Sequence, residues 1–319
     1  MQGIYKKVKI LKTMIEWIFF FIFSLALLIK SADWFIESAE KIGLALKIHP
    51  FIIGVTIIAI GTSLPELGVA IASVLKGVGE LAVANTVGTI IANILLIGGL
   101  SAIAAKTLFV ERNLVDLDTP LFAGAMALYI LTMIDKKITS KEGLILLITF
   151  VAYLCYTIMK KEEGKFFLKA QKVTLKEIFF LFLGMIGLAF GANYTIESTV
   201  RLARFFGISP SLITIIATAV GTSLPEMVVS VGAAFKKKFD IALGNVFGSN
   251  VFDALLIGGA PALIKPLFLD DLTFKVGLPF LGGASILLII SSISQRIHLW
   301  EGLFYLLVYI LFLIKLFGS

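Results

Sequence analysis

Two carboxylates, Glu66 and Glu226, each close the same hexapeptide, Gly-Thr-Ser-Leu-Pro-Glu, at 61–66 and 221–226, and each hexapeptide lies inside a long apolar run. A charged group at the centre of a bilayer costs at least roughly 3 kcal/mol unless something compensates it. No Lys or Arg lies near either hexapeptide, so the charge must be neutralised by a bound cation or by protonation. Oxygens suited to a cation surround both carboxylates. Thr62, Ser63, Thr222 and Ser223 supply hydroxyls. Pro65 and Pro225 lack an N–H and clash with the carbonyl four residues earlier, at Gly61 and Gly221, so each helix is expected to break there and free backbone carbonyls. Irregular backbone at that depth is tolerated only where it is buried in protein or lines a polar cavity.

A second polar cluster follows each hexapeptide: Asn85, Thr89 and Asn93 in the first half, Asn245, Ser249, Asn250 and Asp253 in the second. Thr89 and Asn93, four apart, share a helix face, as do Ser249 and Asp253. Asn93 and Asp253 occupy the same repeat position and one is ionisable, which assigns them to the site. Gly88, Gly98, Gly248 and Gly258 are assigned instead to close helix packing. Carboxylate, amide, hydroxyl and carbonyl oxygens form a hard-cation site suited to Ca²⁺ and Na⁺ rather than Zn²⁺ or Cu²⁺, and less to Mg²⁺, which holds its waters tightly. The chain has one cysteine, Cys155, and two histidines, His49 and His298, both at the ends of apolar runs. Disulfides and thiolate sites are therefore ruled out. A divalent ion and monovalent ions sharing two carboxylates would compete, which makes the protein an exchanger candidate. An ion-free cavity would carry uncompensated charge across the barrier, so it should not cycle and leak.

The elements that must hold these residues are membrane spans. With 59% hydrophobic residues, 15% charged residues and a mean hydropathy of +1.01, the chain cannot be arranged with a charged skin. Runs long enough to cross a core of roughly 30 Å occur near 14–35, 48–75, 81–105, 117–134, 143–159, 177–196, 208–235, 241–265, 273–293 and 299–317. Ile18 to Gly99 aligns without a gap on Ile178 to Gly259, with 28 of 82 positions identical. The expected organisation is thus all-α and polytopic, with ten transmembrane helices in two inverted five-helix repeats: 14–160, a short charged linker at 161–176, and 177–319. An odd number of spans per repeat makes the halves enter the membrane from opposite sides, the plan of many alternating-access carriers. The basic leader (Lys6, Lys7, Lys9, Lys12) is not read as a cleaved signal, because Ile18, Phe19, Phe20 and Leu28 match the internal Ile178, Phe179, Phe180 and Leu188. The net charge of +7 belongs to loops between spans rather than to a nucleic-acid surface. Trp17, Trp34 and Trp300 fall near span ends and fit an aromatic belt.

The paired Gly-Thr-Ser-Leu-Pro-Glu motifs, each followed by Asn-x-x-Gly-Ser/Thr, resemble the sodium/calcium exchanger family of the cation/calcium antiporter superfamily, especially its short prokaryotic members. The resemblance spans nearly the whole chain. It implies ten helices in inverted halves, location in the cell membrane as a multi-pass protein, and electrogenic exchange of several Na⁺ for one Ca²⁺, with spans one and six as a sliding gate. It assigns Glu66 and Glu226 to Ca²⁺ together with the Thr62 and Thr222 carbonyls. Ser63, Ser223, Thr89, Ser249, Ala59 and Ala219 fall to flanking Na⁺ sites, and Asn93 and Asp253 to the middle pair. The first repeat departs from the family pattern in reading Ala84-Asn85-Thr86-Val87-Gly88-Thr89, which predicts altered Na⁺ affinity rather than lost transport. No cofactor is expected beyond the transported ions, and the protein is expected to act as a monomer in the lipid bilayer. Proton-coupled or K⁺-assisted exchange is the alternative within carriers, since a carboxylate that binds Na⁺ also binds a proton. A cation channel would need no counter-ion. An enzyme would need a nucleophile with a base, or a metal with His or Cys ligands, for which the chain is too poor. Ca²⁺ with Glu66 and Glu226 is already neutral, whereas three Na⁺ would balance three carboxylates, so Asp253 is expected to matter more for Na⁺ than for Ca²⁺.

Overall fold

Long apolar runs leave helices as the only way to satisfy backbone groups in lipid, and helices dominate the architecture. The structure, a computed structural model, describes residues 2–116, 118–159, 173–206, 221 and 223–318, with side chains placed from residue 13 onward. In chain order the helices are α1 (Gln2–Ala45), α2 (Pro50–Leu75), α3 (Gly79–Ala105), α4 (Asp118–Leu131), α5 (Ser140–Met159), α6 (Leu175–Phe205), α7 (Leu224–Phe235), α8 (Phe239–Ile264), α9 (Thr273–Ile293) and α10 (Leu299–Phe317). Eight of these are long and apolar enough to cross a membrane, while α4 and α7 are shorter apolar helices. The front half of the seventh expected span, at 208–220, lies outside the described residues, as do most of the charged linker and the site positions Ala219 and Thr222. His49 and His298 stand at span ends as expected, each as the N-cap of its helix, α2 and α10.

Short strands lace the two halves together. β1 (Thr107–Phe109), after α3, pairs antiparallel with β4 (Arg296–His298), before α10, and β2 (Lys137–Ile138) pairs with β3 (Leu267–Phe268). In each ladder one strand comes from each half. The connection after β1 is pinned by an ion pair between Arg112 Nε and Asp118 Oδ2, 2.7 Å apart and almost wholly buried. The Arg112 guanidinium also lies 5.8 Å from the Phe51 ring centroid at the start of α2.

α1 and α6 lie antiparallel along their whole lengths, from Trp17 beside Arg201, through Thr195 Oγ1 donating to Ser24 Oγ at 3.0 Å, to Lys41 near Glu177. Glycines let the backbones touch: a Cβ at Gly191 would sit 2.9 Å from Leu28 Cα, and one at Gly184 would sit 2.8 Å from Phe35 N. The far end of α1 is tied to the corner between α7 and α8. Lys236 Nζ lies 2.7 Å from Asp33 Oδ1 and 3.1 Å from Glu37 Oε1, and Lys238 Nζ lies 2.5 Å from Glu40 Oε2. Partial burial lowers the Lys236 pKa, but its contacts with Asp33 and Glu37 outweigh that effect and hold it above the ordinary lysine value.

α2 and α8 approach equally closely at the centre. A Cβ at Gly248 would stand 2.3 Å from Val55 O and 2.5 Å from Val55 Cα, so the packing role expected for this glycine holds. Neither Val55 atom belongs to a flexible side chain. Gly248→Ala should therefore cost about 1–3 kcal/mol through overpacking and lower the melting temperature of the detergent-solubilised protein. Unchanged melting would mean that the two helices are not in backbone contact.

Candidate functional site

The two hexapeptides fold differently. In the second repeat Ser223 is non-helical (φ −93°, ψ 12°) and α7 begins at Leu224 with Pro225 in its first turn; the chain before Gly221, on which the expected break depends, lies outside the described residues. In the first repeat the helix runs on through Pro65. One missing hydrogen bond does not break it there, in a helix packed on α1, α3 and α8. A π-helical turn lies upstream in the same span, at Gly54–Ile58. Gly61 is the point where α1 meets the motif, since a Cβ there would lie 2.4 Å from Phe35 Cζ.

Matching π turns shape the second cluster. α3 widens at Ala92–Ile97 and α8 at Asp253–Ile257, at corresponding repeat positions. Such single turns gather at functional sites because they re-aim a side chain without ending the helix. Here they bring Asn93 and Asp253 together, with Asn93 Nδ2 donating to Asp253 Oδ2 at 3.1 Å.

The carboxylates are sealed from solvent: Glu66 is 5% exposed, Glu226 1% and Asp253 0%. Glu66 lies within electrostatic range of both Glu226 and Asp253. Ser63 Oγ donates to Glu226 Oε1 at 3.0 Å, so a hydroxyl of the first repeat serves the carboxylate of the second. Glu66 Oε2, Glu226 Oε2, Asp253 Oδ1, Asn93 Oδ1, Asn250 Oδ1 and Ser223 Oγ are all buried and have no hydrogen-bond partner among the described residues. Buried oxygens left unsatisfied are costly, and those on Glu66, Glu226, Asp253 and Asn93 are of the type a hard cation takes as ligands. Among the described residues no three acidic, imidazole or thiolate side chains converge on one point, so neutral oxygens would have to complete the shell around any bound ion.

The remaining expected residues are placed less directly. Thr62 and Ala59 are buried on α2, but the Thr62 hydroxyl turns back to its own helix, 3.2 Å from both Ile58 O and Ala59 O. Ser249 is buried, with Oγ 3.4 Å from Asn245 Oδ1, while Asn245 Nδ2 donates to Ser230 Oγ at 2.8 Å. Thr89 is buried on α3. Sequence reasoning named Asn250 as an oxygen donor without assigning it, and missed Tyr129 of α4, which lies within electrostatic range of Asp253 and whose ring fills the space above Gly258. No local signal marks Tyr129, because its proximity arises from the packing of α4 on α8.

The family described as sodium/calcium exchanger protein matches residues 16–159 and 176–318, once on each half. The chain is 30% identical over 337 aligned positions to the sodium/calcium exchanger MaX1 of Methanosarcina acetivorans, covering 92% of this chain and 96% of that protein. A membrane protein of Methanocaldococcus jannaschii is 34% identical over 302 positions, covering 92% and 95%. The solved structure of the sodium-calcium exchanger NCX_Mj, soaked with 2.5 mM Na⁺ and 0.1 mM Sr²⁺, superposes with a TM-score of 0.81 at 29% identity, covering 93% of this chain and 98% of that one. The duplicated carboxylate motifs, the membrane-spanning helices and these likenesses agree, and the chain belongs to the sodium/calcium exchanger family.

Proposed function

We propose that the protein is a secondary-active antiporter of the cell membrane that exchanges Na⁺ for Ca²⁺ by alternating access, with Glu66 and Glu226 sharing the ions. The observation that carries this reading is the set of buried carboxylate and amide oxygens on Glu66, Glu226, Asp253 and Asn93 that have no partner, and no cationic side chain paired with these carboxylates, among the described residues. Ca²⁺ with two glutamates is electrically neutral, and Na⁺ ions on the same glutamates and Asp253 reach neutrality another way. Either load removes the barrier that an ion-free cavity would face. Ser63, Ser223, Thr89, Ser249 and the carbonyls of Ala59, Thr62, Ala219 and Thr222 complete the proposed ligand set, with Asn93 orienting Asp253. The halves 14–160 and 177–319, joined by 161–176, form the two inverted units, and α1 with α6 is the element that slides between them. The glycine seam is what lets that pair move as one body, and Phe35 against Gly61 is where the motion reaches the motif. The chain acts as a monomer without a cofactor and is not an enzyme.

Ion binding to the folded state alone must stabilise it, by about 2.7 kcal/mol at one hundred times the dissociation constant. Wild type should melt higher in Ca²⁺ than in an ion-free, impermeant-cation buffer. Glu66→Gln should melt at or above ion-free wild type and gain nothing from Ca²⁺, because the isosteric amide removes a buried charge and its ligand together. A Ca²⁺ increment retained in Glu66→Gln would remove this residue from the site.

Transport is tested by ⁴⁵Ca²⁺ uptake into Na⁺-loaded proteoliposomes diluted into Na⁺-free buffer at equal pH. Uptake should require internal Na⁺ and be lost in Glu66→Gln and Glu226→Gln. Uptake indifferent to Na⁺ but driven by a pH gradient would make the protein a proton-coupled carrier. In the same assay Asp253→Asn should keep more Na⁺-driven uptake than Glu66→Gln, and equal loss in both would overturn the separate role given to Asp253.

A further inference from the structure

α1 and α6 run antiparallel, so the first turns of one span meet the last turns of the other, and between the two ends lies an open surface cavity of about 280 Å³ lined by Trp17, Arg201, Arg204 and Phe205. The Arg201 guanidinium lies 4.2 Å from the centroid of the Trp17 ring. Its Nε and Nη2 both donate to Glu197 Oε1, at 3.0 and 2.6 Å, so one face of the guanidinium is stacked and one edge is paired. Arg204 has no carboxylate partner among the described residues. The bland reading is that arginines near a helix C-terminus complement its dipole and reach for water. Those roles, and an aromatic-belt role for Trp17, act on each helix alone, whereas here α1 and α6 bring the ring and the guanidinium together on opposite walls of one pocket.

We propose that this cavity binds the phosphate of an anionic lipid headgroup, bridging α1 and α6. Three features favour a lipid over a free anion. The cavity sits where the spans Thr13–Ala45 and Leu175–Phe205 end, the depth at which aromatic and basic side chains meet headgroups. Its next neighbours along α1, Phe19, Phe20, Ile22 and Phe23, are exposed and apolar, so acyl chains of a bound lipid would lie directly beneath. The helix of α1 continues back to Gln2, and its leader carries Lys6, Lys7, Lys9 and Lys12. Arg201 and Arg204 stand at this end with the carboxylates Glu16 and Glu197, and the four lysines of the leader precede them in the sequence. A basic cluster directly beside a membrane span concentrates anionic lipid there, and the two arginines supply fork-shaped donors matched to a phosphate.

The test uses the full chain with Trp34→Phe and Trp300→Phe, which leaves Trp17 as the sole tryptophan, reconstituted in phosphatidylcholine containing a minor fraction of brominated lipid. Brominated phosphatidylglycerol should quench Trp17 at least twice as strongly as the same fraction of brominated phosphatidylcholine, and that excess should disappear in the Arg201→Gln/Arg204→Gln protein. Retained ⁴⁵Ca²⁺ uptake would show that the variant is folded, and an unchanged Trp17 emission maximum would serve the same purpose if uptake is absent in all forms. Equal quenching by the two lipids overturns the proposal. An excess that survives the double substitution overturns it too, since the leader alone would then be gathering the lipid. Inorganic phosphate should leave the excess intact; abolition by phosphate would make the ligand a free anion rather than a lipid.

Discussion

Carboxylates with no cationic side chain at hand, sealed in a medium that cannot solvate them, are the constraint around which the molecule is arranged. Removing ions from water is expensive, and Coulombic attraction repays the cost only when geometry and additional hydrogen bonds are good. Glu66 of the first half and Glu226 and Asp253 of the second lie within electrostatic range of one another and so aggravate each other's burial. What relieves them must be small, mobile and positive. This single requirement explains why neutral oxygens crowd the same place, why the helices there are irregular, and why a carrier with this interior has to move loaded.

The surrounding structure keeps that interior narrow. Backbone contact between α2 and α8 at Gly248 and between α1 and α6 at Gly184 and Gly191 replaces side-chain packing with van der Waals contact at the shortest range available. The cross-half bonds Ser63–Glu226 and Asn93–Asp253 then join the repeats at the site itself, while the two strand ladders join them at their rims. Each half contributes to the other's chemistry, so neither repeat holds a complete site.

Much of this was legible in the chain because it is local or repeated. Apolar run length marks spans, and the duplication of Gly-Thr-Ser-Leu-Pro-Glu marks the two halves that the family matches separately. What escaped is what depends on contacts distant in sequence. The π turns at Ala92–Ile97 and Asp253–Ile257 leave no pattern in composition, since any helix can widen where packing rewards it. Pro65 and Pro225 stand in the same hexapeptide, yet only the second coincides with a helix start, a difference the shared motif cannot encode. The buried Arg112–Asp118 pair was invisible because a loop in the sequence gave no sign of folding back against α2.

The repeats match closely at the carboxylates but not at their outer ends. Lys236 and Lys238 grip Asp33, Glu37 and Glu40, whereas the corresponding positions of the other half read Lys76 and Val78 against Asn193, Glu197 and Val200, and Glu197 is taken by Arg201 of its own helix. Partly exposed ion pairs contribute about 0–1 kcal/mol each, so the clamp is too weak to lock α1 and strong enough to weight it. Two halves that descend from one sequence are thereby held unequally at their periphery, by a few charges that lie away from the buried carboxylates.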